Sequence, residues 1–183
     1  DYVPVYGTWA DAYLRCQYII PAEELAAYEG RDFTALKYYL SSPATAAWTG
    51  TFQVYMKEVE NNTISEYIDP TTATTVYTGT LDATGAEMAI TFDNNYAYNG
   101  GNLLIGIDQI VKGNYKSVSF YGQTATGVCV QGYSSTSLNA ISASQRNFGP
   151  KTTLSYSGTP LPGYQIKDMY MPAGTYYVAV AST

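Results

Sequence analysis

The feature that most constrains the fold is the alternation of apolar and polar residues in several short segments. Between Thr51 and Lys57, the apolar residues Phe52, Val54 and Met56 fall on one face, which is the period-2 pattern of a half-buried strand. The same pattern predicts strands over residues 33–40, 75–81, 88–92, 103–107, 115–121, 152–156 and 176–180.

Turn-forming residues separate these segments, as in Asp69-Pro70, Asn99-Gly100-Gly101 and Lys112-Gly113-Asn114. Short strands at spacings of roughly 8–12 residues favour an antiparallel sandwich or barrel over alternating strands and helices. The prediction is an all-β sandwich.

One segment, near residues 21–28, reads as a short helix. Pro21 stands at its first position, Glu23 and Glu24 follow in the first turn, and Gly30 lies just beyond its end. We expect this helix to cap one end of the core through Leu25 and Tyr28.

The sequence changes character after residue 157. Residues 156–165 are rich in Gly and Pro and resemble a linker, whereas residues 173–183 read as a strand. The predicted organisation is therefore a β-sandwich module over residues 1–157, with residues 158–183 forming a linker and a terminal strand packed on the same domain. The chain opens with strand-like residues, so we expect a mature or excised part of a longer protein.

Charge and composition exclude several classes of function. The net charge is −6, with 9 basic residues against 15 acidic ones, which argues against nucleic acid and anionic membranes as partners. No apolar run approaches the roughly 20 residues of a membrane span. A neutral partner, such as a glycan or another protein, remains open.

The absence of histidine removes Ser-His-Asp and Cys-His nucleophiles as well as His-ligated zinc. Catalysis would then rest on paired carboxylates, and no spacing among the acidic residues singles out such a pair. We therefore expect no enzyme activity. The two cysteines, Cys16 and Cys129, permit a disulfide or two buried thiols.

A calcium site is a candidate in the segment 92–102, since Ca²⁺ takes carboxylate and amide oxygens as ligands. Asp93 and Asn95 are its candidate ligands. The alternative is a hairpin loop rich in turn-forming residues, which the sequence favours.

Aromatic rings flanked by hydrogen-bonding side chains form the usual platform for a neutral ligand. Tyr6, Trp9 and Asp11 lie close together near the start of the chain, and Trp48 lies in a second segment without strand alternation. These four residues are the predicted ligand-binding set. The alternative for each tryptophan is to fold back and close one end of the sandwich.

Several motifs together resemble a known type of module: VPVYGTWADAYLRCQYIIPAEEL, FQVYMKEVENNTISEYIDPTTATTVYTGTLDA, YAYNGGNLLIGI and QRNFGPKTTLSYS. In this order they are similar to a module that recurs in large secreted proteins of Bacteroidetes-type bacteria. In those proteins the module occurs beside fibronectin-III-like domains. The Asn99–Ile105 segment is also similar to the cleaved-adhesin jelly rolls.

The resemblance implies a jelly-roll-like β-sandwich, secreted or attached to the cell surface, with no catalytic residues and with structural calcium in some relatives. The expected function is a non-catalytic binding or adhesion module that recognises a glycan, a host protein or a neighbouring surface protein. Two alternatives stay open: a structural spacer or fibre subunit that assembles by strand addition, and a carbohydrate-binding module of a larger secreted hydrolase. Adjacent domains of the full-length chain would be further partners.

Overall fold

The computed structural model describes residues 1–7 and 10–157. Within these residues the chain forms twelve strands and four short 3-10 turns. The strands are β1 (Tyr13–Ile20), β2 (Asp32–Ser42), β3 (Thr51–Val59), β4 (Thr74–Gly79), β5 (Glu87–Ala97), β6 (Asn102–Val111), β7 (Ser119–Phe120), β8 (Gly122–Gln123), β9 (Cys129–Ser134), β10 (Ser144–Arg146), β11 (Gly149–Pro150) and β12 (Thr152–Ser157). The 3-10 turns are Ala22–Glu24, Ala26–Tyr28, Pro70–Thr72 and Leu138–Ala140.

Two main sheets face each other, and their strand pairs are antiparallel. The first has the strand order β10-β9-β1-β6-β3-β4, and the second has the order β12-β2-β5, with β7 paired to β2. Strands β8 and β11 form a separate small pair. The chain passes between the two sheets repeatedly, from β1 to β2, β2 to β3 and β5 to β6. The predicted all-β antiparallel sandwich is confirmed.

The core lies between the sheets because the long strands turn alternate apolar residues toward each other. On β3, Phe52, Val54 and Met56 are fully buried, as their alternation predicts. Across the core, the hydroxyls of Tyr18 on β1 and Tyr38 on β2 lie 2.8 Å apart. Residues of both sheets thus share one main cluster.

The prediction of a helix near residues 21–28 is wrong, because this segment does not form an α-helix. Two separate 3-10 turns occupy it, with i to i+3 hydrogen bonds such as Leu25 N–H to Ala22 O at 3.0 Å. The turns meet at Leu25, where φ is −112° and ψ is 6°, outside helical geometry. Such a short segment does not offset the cost of nucleating an α-helix. Leu25 is buried and Tyr28 packs against the core, as expected, and Gly30 ends the segment at a φ of 74°.

The predicted strand over residues 115–121 is also only partly present, since β7 covers Ser119–Phe120 alone. Before β7, the backbone bonds to loops instead of a strand; for example, Lys116 N–H donates to Gly7 O at 3.2 Å. The predicted terminal strand over residues 176–180, and the whole of the segment 158–183, lie outside the described residues.

A carboxylate holds the turn that joins β5 to β6. Glu58 accepts hydrogen bonds from the backbone N–H groups of Asn99, at 3.0 Å, and Gly101, at 2.7 Å. Gly100 between them has a φ of 105°, which favours glycine. The turn predicted from Asn99-Gly100-Gly101 is thereby confirmed. In the described part of the chain, no helix is long and apolar enough to cross a membrane.

Candidate binding groove

Trp48, one of the four predicted ligand-binding residues, belongs to the core. It is only 2% exposed, and its ring centroid lies 5.6 Å from that of Phe52. Its indole N–H donates to Lys116 O at 3.0 Å, so the polar atom of the ring is already satisfied within the protein. A ring buried in this way cannot stack beneath a ligand. The assignment of Trp48 as a ligand-binding residue is therefore wrong, and its loop closes the end of the sandwich.

The other three predicted ligand-binding residues lie near the start of the chain. The Tyr6 ring stacks on that of Tyr2, with centroids 4.7 Å apart, and packs partly against the core. Asp11 is exposed. Trp9 lies outside the described residues, so a platform built on Tyr6, Trp9 and Asp11 stays a prediction.

The candidate calcium ligands lie within a strand, so the predicted hairpin loop around them is wrong. Asp93 and Asn95 both belong to β5, where the register with β2 shifts between Thr91 and Tyr96. The Asp93 carboxylate accepts a hydrogen bond from Thr78 N–H at 3.1 Å. Among the described residues, no three His, Cys, Asp or Glu side chains come together as a metal site. Calcium binding stays a prediction.

The outer face of the first sheet carries a buried ion pair. The Arg15 guanidinium donates three hydrogen bonds to Asp108, at 2.9, 3.1 and 2.6 Å, and these residues face each other on β1 and β6. The hydrogen bond to Asp108 raises the pKa of Arg15, against the lowering effect of burial. Tyr55 O–H donates to Asp108 at 3.1 Å, and Tyr67 lies over Arg15. The carboxylate is saturated by these donors, which fits a structural role.

A glycine makes room for this network. Gly106 on β6 lies between Gln17 on β1 and Tyr55 on β3, and the Tyr55 ring crosses over it. The phenol then reaches both Asp108 and the Gln17 side chain, which donates to it at 3.0 Å. A Cβ at position 106 would overlap the ring.

Gly106→Ala is therefore expected to lower the free energy of unfolding by about 2–3 kcal/mol, since overpacking displaces the Tyr55 ring. Urea denaturation measures the change. Gly85→Ala is the matched control, because a Cβ there would have no neighbour closer than 3.7 Å. Equal stability of the two variants would mean that the Tyr55 ring can move aside freely.

A groove of about 760 Å³ lies between the carboxyl end of β1 and the region that contains β8, β11 and β12. One wall is the segment from Tyr18 to Tyr28, which includes the two 3-10 turns. The opposite wall comes from Tyr121–Gln123 and residues 149–154. Three separate stretches of sequence thus build one concave site, with both apolar and polar surface.

A directed chain of hydroxyls leads from Tyr38 in the core, through Tyr18, to Thr152 at the groove. Thr152 O–H donates to Pro150 O at 3.0 Å, so its oxygen accepts from Tyr18, 3.2 Å away. Tyr18 therefore donates to Thr152, and Tyr38 donates to Tyr18. Burial raises the pKa of both phenols, so both stay neutral. Thr152 lines the groove, and among the described residues no hydrogen bond uses the second lone pair of its oxygen.

The rim of the groove supplies a flat aromatic surface. Tyr121 lines the groove and is 56% exposed. Its backbone is fixed on both sides, because its N–H donates to Tyr39 O and its carbonyl accepts from Lys151 N–H, each at 2.8 Å. Glu24 and Lys151 add one charge of each sign. The rim therefore favours a ligand without net charge.

Sequence reasoning missed this groove because no local pattern marks it. The alternating pattern places Tyr121 and Thr152 in predicted strands, and nothing else in the sequence marks either as a site residue. No protein-family model matches the chain. No curated protein and no solved structure matches it either.

Proposed function

We propose that this protein is a non-catalytic extracellular binding module, and that its groove takes an uncharged glycan. The observation that carries the proposal is the pairing of an exposed, backbone-anchored Tyr121 ring with the acceptor at Thr152. Sugar rings stack on aromatic faces, and their hydroxyls donate hydrogen bonds to such acceptors. The acidic, histidine-free composition and the module resemblance agree with this role.

A glycan array probed with the purified chain tests the proposal, with calcium and again with a chelator. Binding of neutral saccharides supports a lectin-like module. If chelation abolishes binding, calcium ligation by Asp93 and Asn95 gains support. A blank array with well-folded protein would instead favour the structural spacer.

Tyr121→Ala is expected to weaken the affinity for an array hit at least about tenfold, the equivalent of 1.4 kcal/mol. Isothermal titration with the hit saccharide measures this change. Tyr115→Ala is the matched control, because Tyr115 has the same 56% exposure and does not line the groove. Both variants should melt like the parent protein. Equal affinities of the two variants would place the ligand elsewhere.

A further inference from the structure

The two cysteines of the chain meet in the folded protein. Cys16 and Cys129 are 113 residues apart in sequence, and their sulfurs lie 3.8 Å apart. The chain has only 2 cysteines in 183 residues. The fold thus brings the two buried thiols, which are not bonded to each other in this structure, into direct contact.

Strand register explains how they meet. On the neighbouring strands β1 and β9, Cys16 lies opposite Gln131, and Cys129 lies opposite Tyr18. The cysteines are thus diagonal neighbours, and both point into the main core. Diagonal Cα atoms lie about 7–8 Å apart in such a pair, whereas disulfides span up to about 6.8 Å. A bond between them therefore requires a local backbone shift of β1 relative to β9.

The burial of these sulfurs argues against a nucleophilic or a metal-binding role. Cys16 is 2% exposed and Cys129 is 0% exposed. Burial, followed by the contact with Cys129, raises the pKa of the Cys16 thiol well above its ordinary value. The reactive thiolate is therefore disfavoured in the folded state, which argues against a nucleophilic role. Two sulfurs alone do not complete a structural zinc site.

We propose that Cys16 and Cys129 form a disulfide that joins β1 to β9. The oxidant is a small-molecule disulfide such as glutathione disulfide. The thiolate of one cysteine attacks it, forming a mixed disulfide and releasing one glutathione thiolate. The second cysteine thiolate then displaces the other glutathione. Overall, two protein thiols lose two electrons and two protons, and two glutathione thiols form.

The reaction takes place during folding, before β1 and β9 close over the sulfurs. The cross-link then closes a long loop and restricts the unfolded chain, which stabilises the native state. It also fixes the strand pair next to the groove, because Cys129 faces Tyr18.

Refolding the chain from denaturant in a mixture of oxidised and reduced glutathione tests the proposal. The product is alkylated in denaturant and analysed by intact mass and peptide mapping. We expect no alkylation, a mass about 2 Da below that of the dithiol, and one peptide pair linking Cys16 to Cys129. Two alkylated cysteines, glutathione adducts or linked dimers would overturn the proposal.

Thermal melting provides a second readout. Reduction is expected to lower the Tm of the refolded protein by about 5–15 °C. Cys16→Ala is the control, since its Tm should be the same with and without reductant. A parent protein whose Tm is equally insensitive to reductant would contradict a native cross-link. Neither result depends on whether the groove binds a glycan.

Discussion

Asp108→Ala is expected to lower the free energy of unfolding by about 3–5 kcal/mol, because it leaves a buried guanidinium without a partner. Asp108 is 2% exposed, and the side chain of Arg15 is 12% exposed, so the guanidinium is poorly solvated once the carboxylate is lost. Tyr55 O–H loses its acceptor in the same variant. Urea denaturation followed by circular dichroism measures the change.

The control removes both charges together. Arg15→Met combined with Asp108→Leu replaces the ion pair by apolar groups of similar volume, and such replacements are often neutral or stabilising. The double variant should therefore be much more stable than Asp108→Ala. If it is instead as unstable as the single variant, the pair contributes through its geometry and not through charge compensation.

Strands were predictable where burial of one face produces an alternation of apolar and polar residues in the local sequence. β3 is the clearest case, because Phe52, Val54 and Met56 alternate with polar residues and all three are buried. Boundaries were less accurate. β5 continues through Asp93 and Asn95, which read as turn formers, because the shift in register with β2 accommodates them inside the strand.

The outer-face ion pair was not predictable, because it depends on pairing across 93 residues of sequence. Nothing near Arg15 indicates that Asp108 will face it once β1 and β6 are paired. Gly106 is a similar case, since a glycine is needed there only because the Tyr55 ring, from another strand, crosses over it. Such features arise from register, and a single sequence carries little information about register between distant strands.

The groove depends on the same long-range placement. Thr152 meets Tyr18 across 134 residues of sequence, and Tyr121 reaches the site from a third segment. The sequence instead points to the two tryptophans, because they are its rarest aromatic residues. Rarity and a loop-like setting do not distinguish a tryptophan that closes a core from one that contacts a ligand, since both occur between strands.

Trp48→Ala separates these two roles. It is expected to lower the free energy of unfolding by about 3–5 kcal/mol, as for other truncations of large buried aromatic residues. The lost contacts are those with Phe52 and with Gly7, where a Cβ would lie 2.7 Å from the Trp48 ring. The hydrogen bond to Lys116 O is lost as well. Urea denaturation followed by circular dichroism measures the loss.

Trp48→Phe is the companion variant, because it keeps aromatic volume and removes only the indole N–H and part of the ring. It should lose less than half as much stability as Trp48→Ala and should remain folded at room temperature. Its affinity for a glycan hit should then equal that of the parent, since the side chain never reaches the groove. A Trp48→Ala protein that melts like the parent but no longer binds the saccharide would reverse this conclusion, because only a ligand contact combines those two results.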